Sequence, residues 1–371
     1  MTAIWVRRSM VAAGLAALAV GPLAATASAA PANHRSGDRS DILIADQFNN
    51  RIIEVDRGHH VLWHFGDGSY VAGPHSVVGP NDAERIGFGL TLIAGTGTPG
   101  NGTDPSCPVV AGCPDNRVML VSRHGNIVWQ YGKAGVSGAG ANELNTPVQA
   151  TFLPTGNILV TDQANERVIE VTLEHKIVWQ YGMTGVTGAG ADQLNNPNSA
   201  ELLPNGHILI ADENNNRVIE VTRNHKIVWQ YGAPTSSLVS GTAFASRLPN
   251  GNTLITSSND NRIVEVTHGK KVVLDYNTAA RPGSFSAPLP TRAVRLRNGD
   301  TLISDQFNDQ VIEINPARQI VFTQGVIDTT NGPDTMGFNR LNAPYDAKVI
   351  GDFTGLTPPA IPDRLASIAA G

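Results

Sequence analysis

A unit of about 45 to 50 residues recurs along this chain, and the recurrence restricts the fold more than any other feature of the sequence. The best-preserved part of the unit reads D-x-x-N-x-R-V-I-E-V and is followed by I-V-W-Q-Y-G. Full or partial copies begin at Asp46, Asn116, Asp162, Asp212, Ser257 and Asp305. Repeats of this length indicate one supersecondary unit per copy, with the units packed side by side.

Each unit contains four short runs that are rich in Val, Ile and Leu and are separated by turn residues. In the third unit these runs cover residues 149–153, 157–161, 167–172 and 177–181, with a tight turn at Pro154-Thr-Gly between the first two. Four antiparallel strands per unit are typical of a β-propeller blade. Because no amphipathic helical pattern of useful length follows the N-terminal segment, the sequence predicts an all-β protein.

The number of blades follows from an alanine in the first strand segment of the repeat. Four such residues precede the position of the repeated Arg by 17 residues, namely Ala150, Ala200, Ala245 and Ala293, and Ala83 is equivalent to them. A sixth equivalent, Ala347, appears only near the C-terminus, whereas the first unit, starting at Asp41, lacks this segment. We therefore expect a six-bladed β-propeller of four-stranded antiparallel blades, closed by residues 345–350 as the inner strand of blade 1. Seven blades and an open β-solenoid are the alternatives.

The N-terminus has the pattern of a secretory signal peptide. Arg7 and Arg8 precede an apolar stretch that is too short for a membrane span, and Ala27-Ser28-Ala29 fits a cleavage site. We expect a signal peptide at 1–29, a flexible mature N-terminus at 30–40, the propeller at 41–353 and a C-terminal tail at 354–371. The mature protein is then expected outside the cell or in the cell envelope, without a transmembrane segment, after export by the general or the twin-arginine route.

The cysteines predict a disulfide, and the net charge restricts the classes of binding partner. Cys107 and Cys113 lie in an insertion at 95–114, and in an oxidising compartment they are expected to form a local disulfide. The formal net charge of -5, without basic runs, argues against nucleic acid or an anionic membrane surface as the main partner. We expect a monomer whose partner is a small molecule, a glycan or a protein.

Residues that recur in every blade are expected to be structural. The Asp of D-x-x-N is expected to accept backbone N–H groups in its own turn while the Asn adopts left-handed geometry; a chain of calcium sites is the alternative. The Glu of R-V-I-E-V is expected to pair with the recurring Arg, because an isolated buried charge is costly. Four equivalent tryptophans are expected to pack between blades: Trp63, Trp129, Trp179 and Trp229.

A functional site is therefore sought where the blades differ. The residue pairs that begin the inner strands are expected to ring the mouth of the channel: Tyr345/Asp346, Asn81/Asp82, Val148/Gln149, Asn198/Ser199, Ala243/Phe244 and Thr291/Arg292. Asp82 and Asp346, with neighbouring amides, could bind a hard cation such as Ca²⁺ or serve as acid and base. Asn81, Gln149, Asn198, Ser199, Phe244 and Tyr345 are candidate ligand contacts, with Arg292 as an anion contact.

His75 is a further candidate, because it lies in a connection that leads to the mouth and could act as base, nucleophile or metal ligand. A solvated His and a water-filled channel without a specific role are the alternatives for these residues.

The unit G-x-I-L-I-x-D-x-x-N-x-R-V-I-E-V resembles NHL-type repeats of six-bladed propellers, and K-I-V-W-Q-Y-G is similar to the Trp-bearing repeat of quinoprotein-like and arylsulfotransferase-like propellers. The resemblance covers most of residues 41–353. The arylsulfotransferase likeness implies sulfuryl transfer through a histidine, for which His75 is the counterpart. The quinoprotein likeness implies pyrroloquinoline quinone and calcium, although the adjacent cysteines of some members are absent. Metal-dependent lactonases of this fold imply acidic ligands, which Asp82 and Asp346 match loosely.

The sequence as a whole favours a secreted propeller that binds a small molecule, glycan or protein through its loops and channel mouth. The alternative is an enzyme with its site at the mouth, either a metal-assisted hydrolase or lyase or an arylsulfotransferase-like protein. A quinone-dependent oxidoreductase is the third hypothesis, because propellers support many unrelated activities.

Overall fold

The chain folds into six four-stranded antiparallel sheets that follow one another as the blades of a propeller. The computed structural model describes residues 40–100, 106–327, 340–360 and 365. The predicted signal peptide and residues 30–39 lie outside the described residues. The prediction of a six-bladed all-β propeller is confirmed.

Blades 2 to 6 have their strands in chain order from the channel outwards, and blade 1 has the C-terminal strand innermost. Blade 1 contains Ile42–Asp46, Arg51–Val55 and Val61–Phe65, with Pro344–Val349 as its inner strand; blade 2 contains Pro80–Arg85, Thr91–Thr98, Cys113–Val121 and Ile127–Gly132. Blade 3 contains Pro147–Phe152, Ile158–Asp162, Arg167–Val171 and Ile177–Tyr181; blade 4 contains Pro197–Leu202, Ile208–Asp212, Arg217–Val221 and Ile227–Gly232. Blade 5 contains Thr242–Arg247, Thr253–Ser257, Arg262–Val266 and Val272–Asn277; blade 6 contains Arg292–Arg295, Thr301–Asp305, Gln310–Ile314 and Ile320–Gly325.

Apart from Leu365, which is α-helical, the helical segments of the described residues are three-residue 3-10 turns. They are Gln47–Asn49, Gly87–Gly89, Gln163–Asn165, Glu213–Asn215, Ser258–Asp260, Thr278–Ala280 and Gln306–Asn308. No helix among the described residues is long and apolar enough to cross a membrane.

The ring is closed by the C-terminal strand, as the displaced alanine predicts. Pro344–Val349 pairs antiparallel with Ile42–Asp46, and Ala347 lies opposite Ile44. The pairing removes the free edge that an open first blade would expose.

The core lies between the blades, so strands are apolar on both faces. Six clusters of buried side chains occupy the six junctions between neighbouring blades of the described chain. At the junction of blades 3 and 4, for example, Leu159 packs with Ile208 and Ile219. Burial on both faces explains why the repeats show continuous Val/Ile runs rather than polar alternation.

The D-x-x-N-x-R motif forms a buried cluster of hydrogen bonds at the turn after the second strand. In blade 3, Asp162 Oδ2 accepts hydrogen bonds from Asn165 Nδ2 and Arg167 Nε, both at 2.8 Å. Its Oδ1 accepts the backbone N–H of Asn145, in the segment that enters the blade. The left-handed residue is the one after the motif Asn, here Glu166 with φ of 58°. The Asp therefore ties the entering chain to the blade, and the prediction that it caps its own turn was wrong in this detail.

The recurring Glu pairs with the next blade rather than with the recurring Arg. Glu170 Oε2 lies 2.5 Å from Nη1 of Arg223 in blade 4, whereas Arg167 binds Asp162. Residues three apart on a strand point to opposite faces, so Arg167 and Glu170 cannot meet. The predicted Glu–Arg pairing within the repeat was therefore wrong, and the pair instead links neighbouring blades.

The four equivalent tryptophans have the inter-blade role that the sequence predicts. Trp179 Nε1 donates to the backbone carbonyl of Arg223 at 3.0 Å, and the other three each donate to a carbonyl of the next blade. The predicted disulfide between Cys107 and Cys113 is present as well.

Candidate functional site

The ring has two ends with different loops. We call one end the connection face; it carries the turns between second and third strands and the links between blades, at 66–79, 133–146, 182–196, 233–241 and 278–291 and, in its described parts, 326–327 and 340–343. The other end, the turn face, carries the turns between first and second and between third and fourth strands. The disulfide-bearing insertion of blade 2 lies on the connection face, because it joins the second and third strands of its blade.

A β-bulge at the start of the inner strand positions the first residue of the predicted pair in blades 1 to 5. The bulge leaves Tyr345, Asn81 and Asn198 unpaired between their neighbours on the strand, and a bulge re-aims a side chain. Tyr345 of blade 1 and Asn198 of blade 4 consequently meet across the channel, where Asn198 Nδ2 donates to the Tyr345 hydroxyl at 2.7 Å.

In four of the six pairs the second residue ties its blade to the next one. Four side-chain oxygens accept the backbone N–H of the alanine in the following blade: Asp346 to Ala83, Asp82 to Ala150, Gln149 to Ala200 and Ser199 to Ala245, at 2.7 to 3.2 Å. These side chains are almost fully buried. The sequence analysis placed these residues at the channel mouth as candidate ligand or metal contacts and did not foresee this inter-blade role.

Asp82 and Asp346 form the centre of a buried charge network. Lys348 Nζ lies 2.5 Å from Asp82 Oδ1 and 2.6 Å from Asp346 Oδ2, and donates to the Ala83 carbonyl at 3.1 Å. Arg292 reaches the same carboxylates, with Nη2 at 3.2 Å from Asp82 and Nε at 2.8 Å from Asp346. Two cations thus neutralise two carboxylates where unpaired charges would be costly.

The two carboxyl groups differ in their proton affinity. Burial raises the pKa of Asp82 from 3.8 to about 6, although the charge of Lys348 opposes the shift. Burial also acts to raise the pKa of Asp346, but the charges of Arg292 and Lys348 outweigh it and lower that pKa below its ordinary value. Phe244, a predicted ligand contact, lies under the Arg292 guanidinium, whose carbon is 4.3 Å from the ring centroid.

The described part of the C-terminal tail contacts blades 4 and 5. Thr357 donates from its backbone N–H and its hydroxyl to Glu201 Oε2, at 2.9 and 2.6 Å. Glu201 Oε1 in turn accepts from Gln149 Nε2 at 2.9 Å. Leu356 packs with Phe244 in a small apolar cluster. The tail therefore belongs to the propeller structure in its described part, and Glu201, Lys348 and Thr357 are central residues that the sequence did not single out.

At the connection face, Glu213 is the second residue of the D-x-x-N-x-R motif of blade 4, a motif that the sequence analysis expected to be structural. Its Oε2 accepts hydrogen bonds from Gln163, Asn196 and Asn198, at 2.8 to 3.2 Å. Burial raises the pKa of Glu213. A second amide chain links Gln306, Gln47 and Asn81 on blades 6, 1 and 2. The sequence did contain a signal for Glu213, because the second residue of the motif is Gln in three blades and Glu in blade 4.

His75 lies apart from this buried network, exposed in the connection between blades 1 and 2. A groove of about 430 Å³ beside that connection is lined by Gly73, Pro74, Arg117 and Trp129, among others. Within the described ranges, no three His, Cys, Asp or Glu side chains are grouped so that they could hold a metal ion. The catalytic and metal-binding roles of His75, Asp82 and Asp346 stay predictions.

Comparison with known proteins extends the description of the fold. No family model and no curated protein matches the chain, so the NHL-type and quinoprotein-like resemblance stays a prediction. A protein of unknown function from Bacteroides caccae has a TM-score of 0.55 and 16% identity, over 81% of this chain and 97% of that one. A streptogramin B lyase has a TM-score of 0.51 and 14% identity, over 80% of this chain and 82% of that one. A chain of the nidogen/laminin complex has a TM-score of 0.50 and 10% identity, over 76% of this chain and 92% of that one. These likenesses show the fold alone.

Proposed function

We propose that this chain is an exported binding protein that holds a protein partner on its connection face. The observation that carries the proposal is the distribution of exposed apolar side chains. Of the seventeen large hydrophobic residues that are exposed in the described chain, nine lie on this face: Tyr70, Val71, Val109, Val110, Val136, Met183, Val186, Leu238 and Val326. They occupy five of the six connections and the disulfide-bearing insertion, and such patches mark interaction sites.

The shape of the face supports a macromolecular partner over a small molecule. Small ligands favour concave pockets that enclose most of their surface. Here the channel is spanned at its mouth by Tyr345 and Asn198 and filled below by Arg292 and Lys348. The prominent side chains stand on the loops instead, with Val110 at 79% and Val71 at 62% exposure.

Export is part of the proposal and is supported by two independent features. The N-terminal sequence has the order of a signal peptide, with basic, apolar and small-residue segments. The disulfide between Cys107 and Cys113 needs an oxidising compartment to persist and restrains the insertion that carries Val109 and Val110.

An enzyme at the mouth has weaker support, because the candidate carboxylates are already engaged. Three of the four oxygens of Asp82 and Asp346 accept hydrogen bonds from Lys348, Arg292 or a backbone N–H. The fourth, Asp346 Oδ1, lies 2.8 Å from Arg292 Nε without a hydrogen bond. A metal ion or a substrate could reach them only if these contacts were broken. His75, the other catalytic candidate, is exposed whereas both carboxylates are buried.

The proposal is tested with two triple variants of the mature protein. The first, Val71→Lys/Val110→Lys/Leu238→Lys, alters the connection face. The control, Val178→Lys/Val273→Lys/Val321→Lys, changes residues of similar exposure on outer strands, at 54, 48 and 52%. Each protein is immobilised and incubated with envelope and medium fractions of its source cells, and retained proteins are cross-linked and identified by mass spectrometry.

We expect one or a few proteins to be retained by the parent and the control, cross-linked to connection loops, and lost at least tenfold from the first variant. The same retained set for both variants, or cross-links elsewhere, would contradict the proposal. Export is checked separately, because a mature chain should begin at Ala30.

A further inference from the structure

The turns between third and fourth strands are rich in cationic side chains. These five-residue turns, at 56–60, 122–126, 172–176, 222–226, 267–271 and 315–319, contain eight of the 27 Lys and Arg residues of the chain but only two acidic residues. The eight are Arg57, Arg123, Lys176, Arg223, Lys226, Lys270, Lys271 and Arg318. Every blade thus places at least one cation at the turn face.

Most of these charges are not used by the fold. Within the part of the chain that the structure describes, five exposed cations make no ion pair: Lys176, Lys226, Lys270, Lys271 and Arg318. The remaining three, Arg57, Arg123 and Arg223, pair with a Glu of a neighbouring blade while their side chains stay about one-third exposed.

The opposite end of the ring does not share this charge. The five connections from 66–79 to 278–291 contain Lys133 and Arg281 against Asp67, Glu143 and Asp192. The formal net charge of -5 therefore conceals a difference between the two faces. Association with a charged surface depends on the local potential of the face that approaches it, and salt screens more distant charges.

Apolar side chains accompany the cations on the turn face. Phe88 is 54% exposed at the tip of the turn between the first two strands of blade 2, flanked by two glycines. The outer strands of blades 3 to 6, which start at this end, carry exposed aliphatic residues immediately or shortly after the basic turns: Ile177, Val228, Val272 and Ile320. A soluble polyanion does not bury these apolar side chains on binding, whereas a lipid interface does.

We propose that the turn face docks on an anionic phospholipid surface, with its ring of cations against the headgroups and Phe88 inserted at the interface. The six basic turns lie at one end of the ring, so all of them face an anionic surface that approaches from that side. Basic residues near such a surface attract it additively, and one exposed aromatic side chain adds apolar burial. Docking in this way leaves the connection face directed away from the membrane, so this inference does not depend on the proposed protein partner.

The test is vesicle sedimentation with the mature protein at about 0.1 M salt. Vesicles of equal phosphatidylglycerol and phosphatidylcholine are compared with vesicles of phosphatidylcholine alone. The main variant is Lys176→Gln/Lys226→Gln/Lys270→Gln/Lys271→Gln. A control on the connection face is Lys133→Gln, which removes an exposed lysine that pairs with Glu143. Phe88→Ser tests the apolar contribution, and none of these substitutions alters a buried side chain.

We expect binding to the anionic vesicles only. Each removed lysine should weaken binding about fivefold, so the quadruple variant should lose on the order of 100-fold or more. Phe88→Ser should lose roughly tenfold, and Lys133→Gln should bind as the parent does. Equal binding to both vesicle types, no binding, or parent-like binding by the quadruple variant would overturn the proposal. It is also wrong if heparin displaces the protein while Phe88→Ser binds normally, because the face then recognises polyanions in general.

Discussion

Replacing Lys348 by Met is the most direct perturbation of the channel centre. The ammonium group contacts Asp82, Asp346 and the Ala83 carbonyl within 3.1 Å, and the residue is 7% exposed. Met has a similar length, so the substitution removes the charge and leaves little cavity. Two buried carboxylates then share Arg292 alone. Removing one partner of a buried ion pair costs about 3 to 5 kcal/mol, and we expect the free energy of unfolding to fall by that amount.

The effect should depend on pH in a defined direction. The charge of Lys348 lowers the pKa of Asp82, which is already about 6, so Lys348→Met should raise it further. Protonation of Asp82 then removes the unpaired charge. The deficit of the variant should therefore shrink as the pH falls from 7.5 to 5. Adding Asp82→Asn to the variant should recover about 2 kcal/mol, because Arg292 and Asp346 are left as a neutral pair.

Equilibrium urea denaturation at both pH values measures these differences, and Lys176→Met, which alters an exposed lysine, is the control. A Lys348→Met protein within about 1 kcal/mol of the parent would refute the assigned role of the ion network. So would a double variant no more stable than Lys348→Met.

Three further predictions concern closure, proton binding and the disulfide. Deleting residues 341–371 removes the inner strand of blade 1, and calorimetry should show a large fall in melting temperature; a deletion protein that melts like the parent contradicts the closure. Asp82 has a raised pKa in the fold, so its stabilising contribution is complete below about pH 3.8 and is lost as the pH rises to about 6. The stability of the parent relative to Asp82→Asn should decline over that window in urea titrations, and a constant difference would disprove the assigned shift. Cys107→Ser/Cys113→Ser opens a loop with a sequence separation of 6 and should cost about 2 kcal/mol in the same assay, whereas an unchanged midpoint would show that the bridge restrains nothing.

The sequence was sufficient for the architecture because each blade solves the same local problem. The period of the D-x-x-N-x-R unit predicted four strands per blade, and the displacement of Ala347 to the C-terminus predicted how the ring closes. The disulfide followed from the presence of Cys107 and Cys113 in one insertion of a chain expected to be exported. These are relations between residues that are close in the chain or occupy equivalent repeats, and such relations can be read from spacing.

Side-chain partners between blades could not be read in that way. Strand alternation turns Glu170 away from Arg167 and towards Arg223, more than 50 residues later. The candidate site was predicted as a set of residues but not as a set of contacts. Asp82 and Asp346 are indeed neighbours, yet Lys348, which neutralises both, was not singled out because a lone Lys on a strand has no motif.

The sequence by itself determined the propeller, its blade number and its closing strand, since these depend on periodic hydrophobic and turn patterns. Only the tertiary structure decided what the ends of the ring present. It gathers scattered lysines and arginines of an acidic chain onto the turn face and apolar loop residues onto the connection face. The physical reason is that antiparallel strands return every equivalent turn to the same end, so residues distant in sequence combine into one surface.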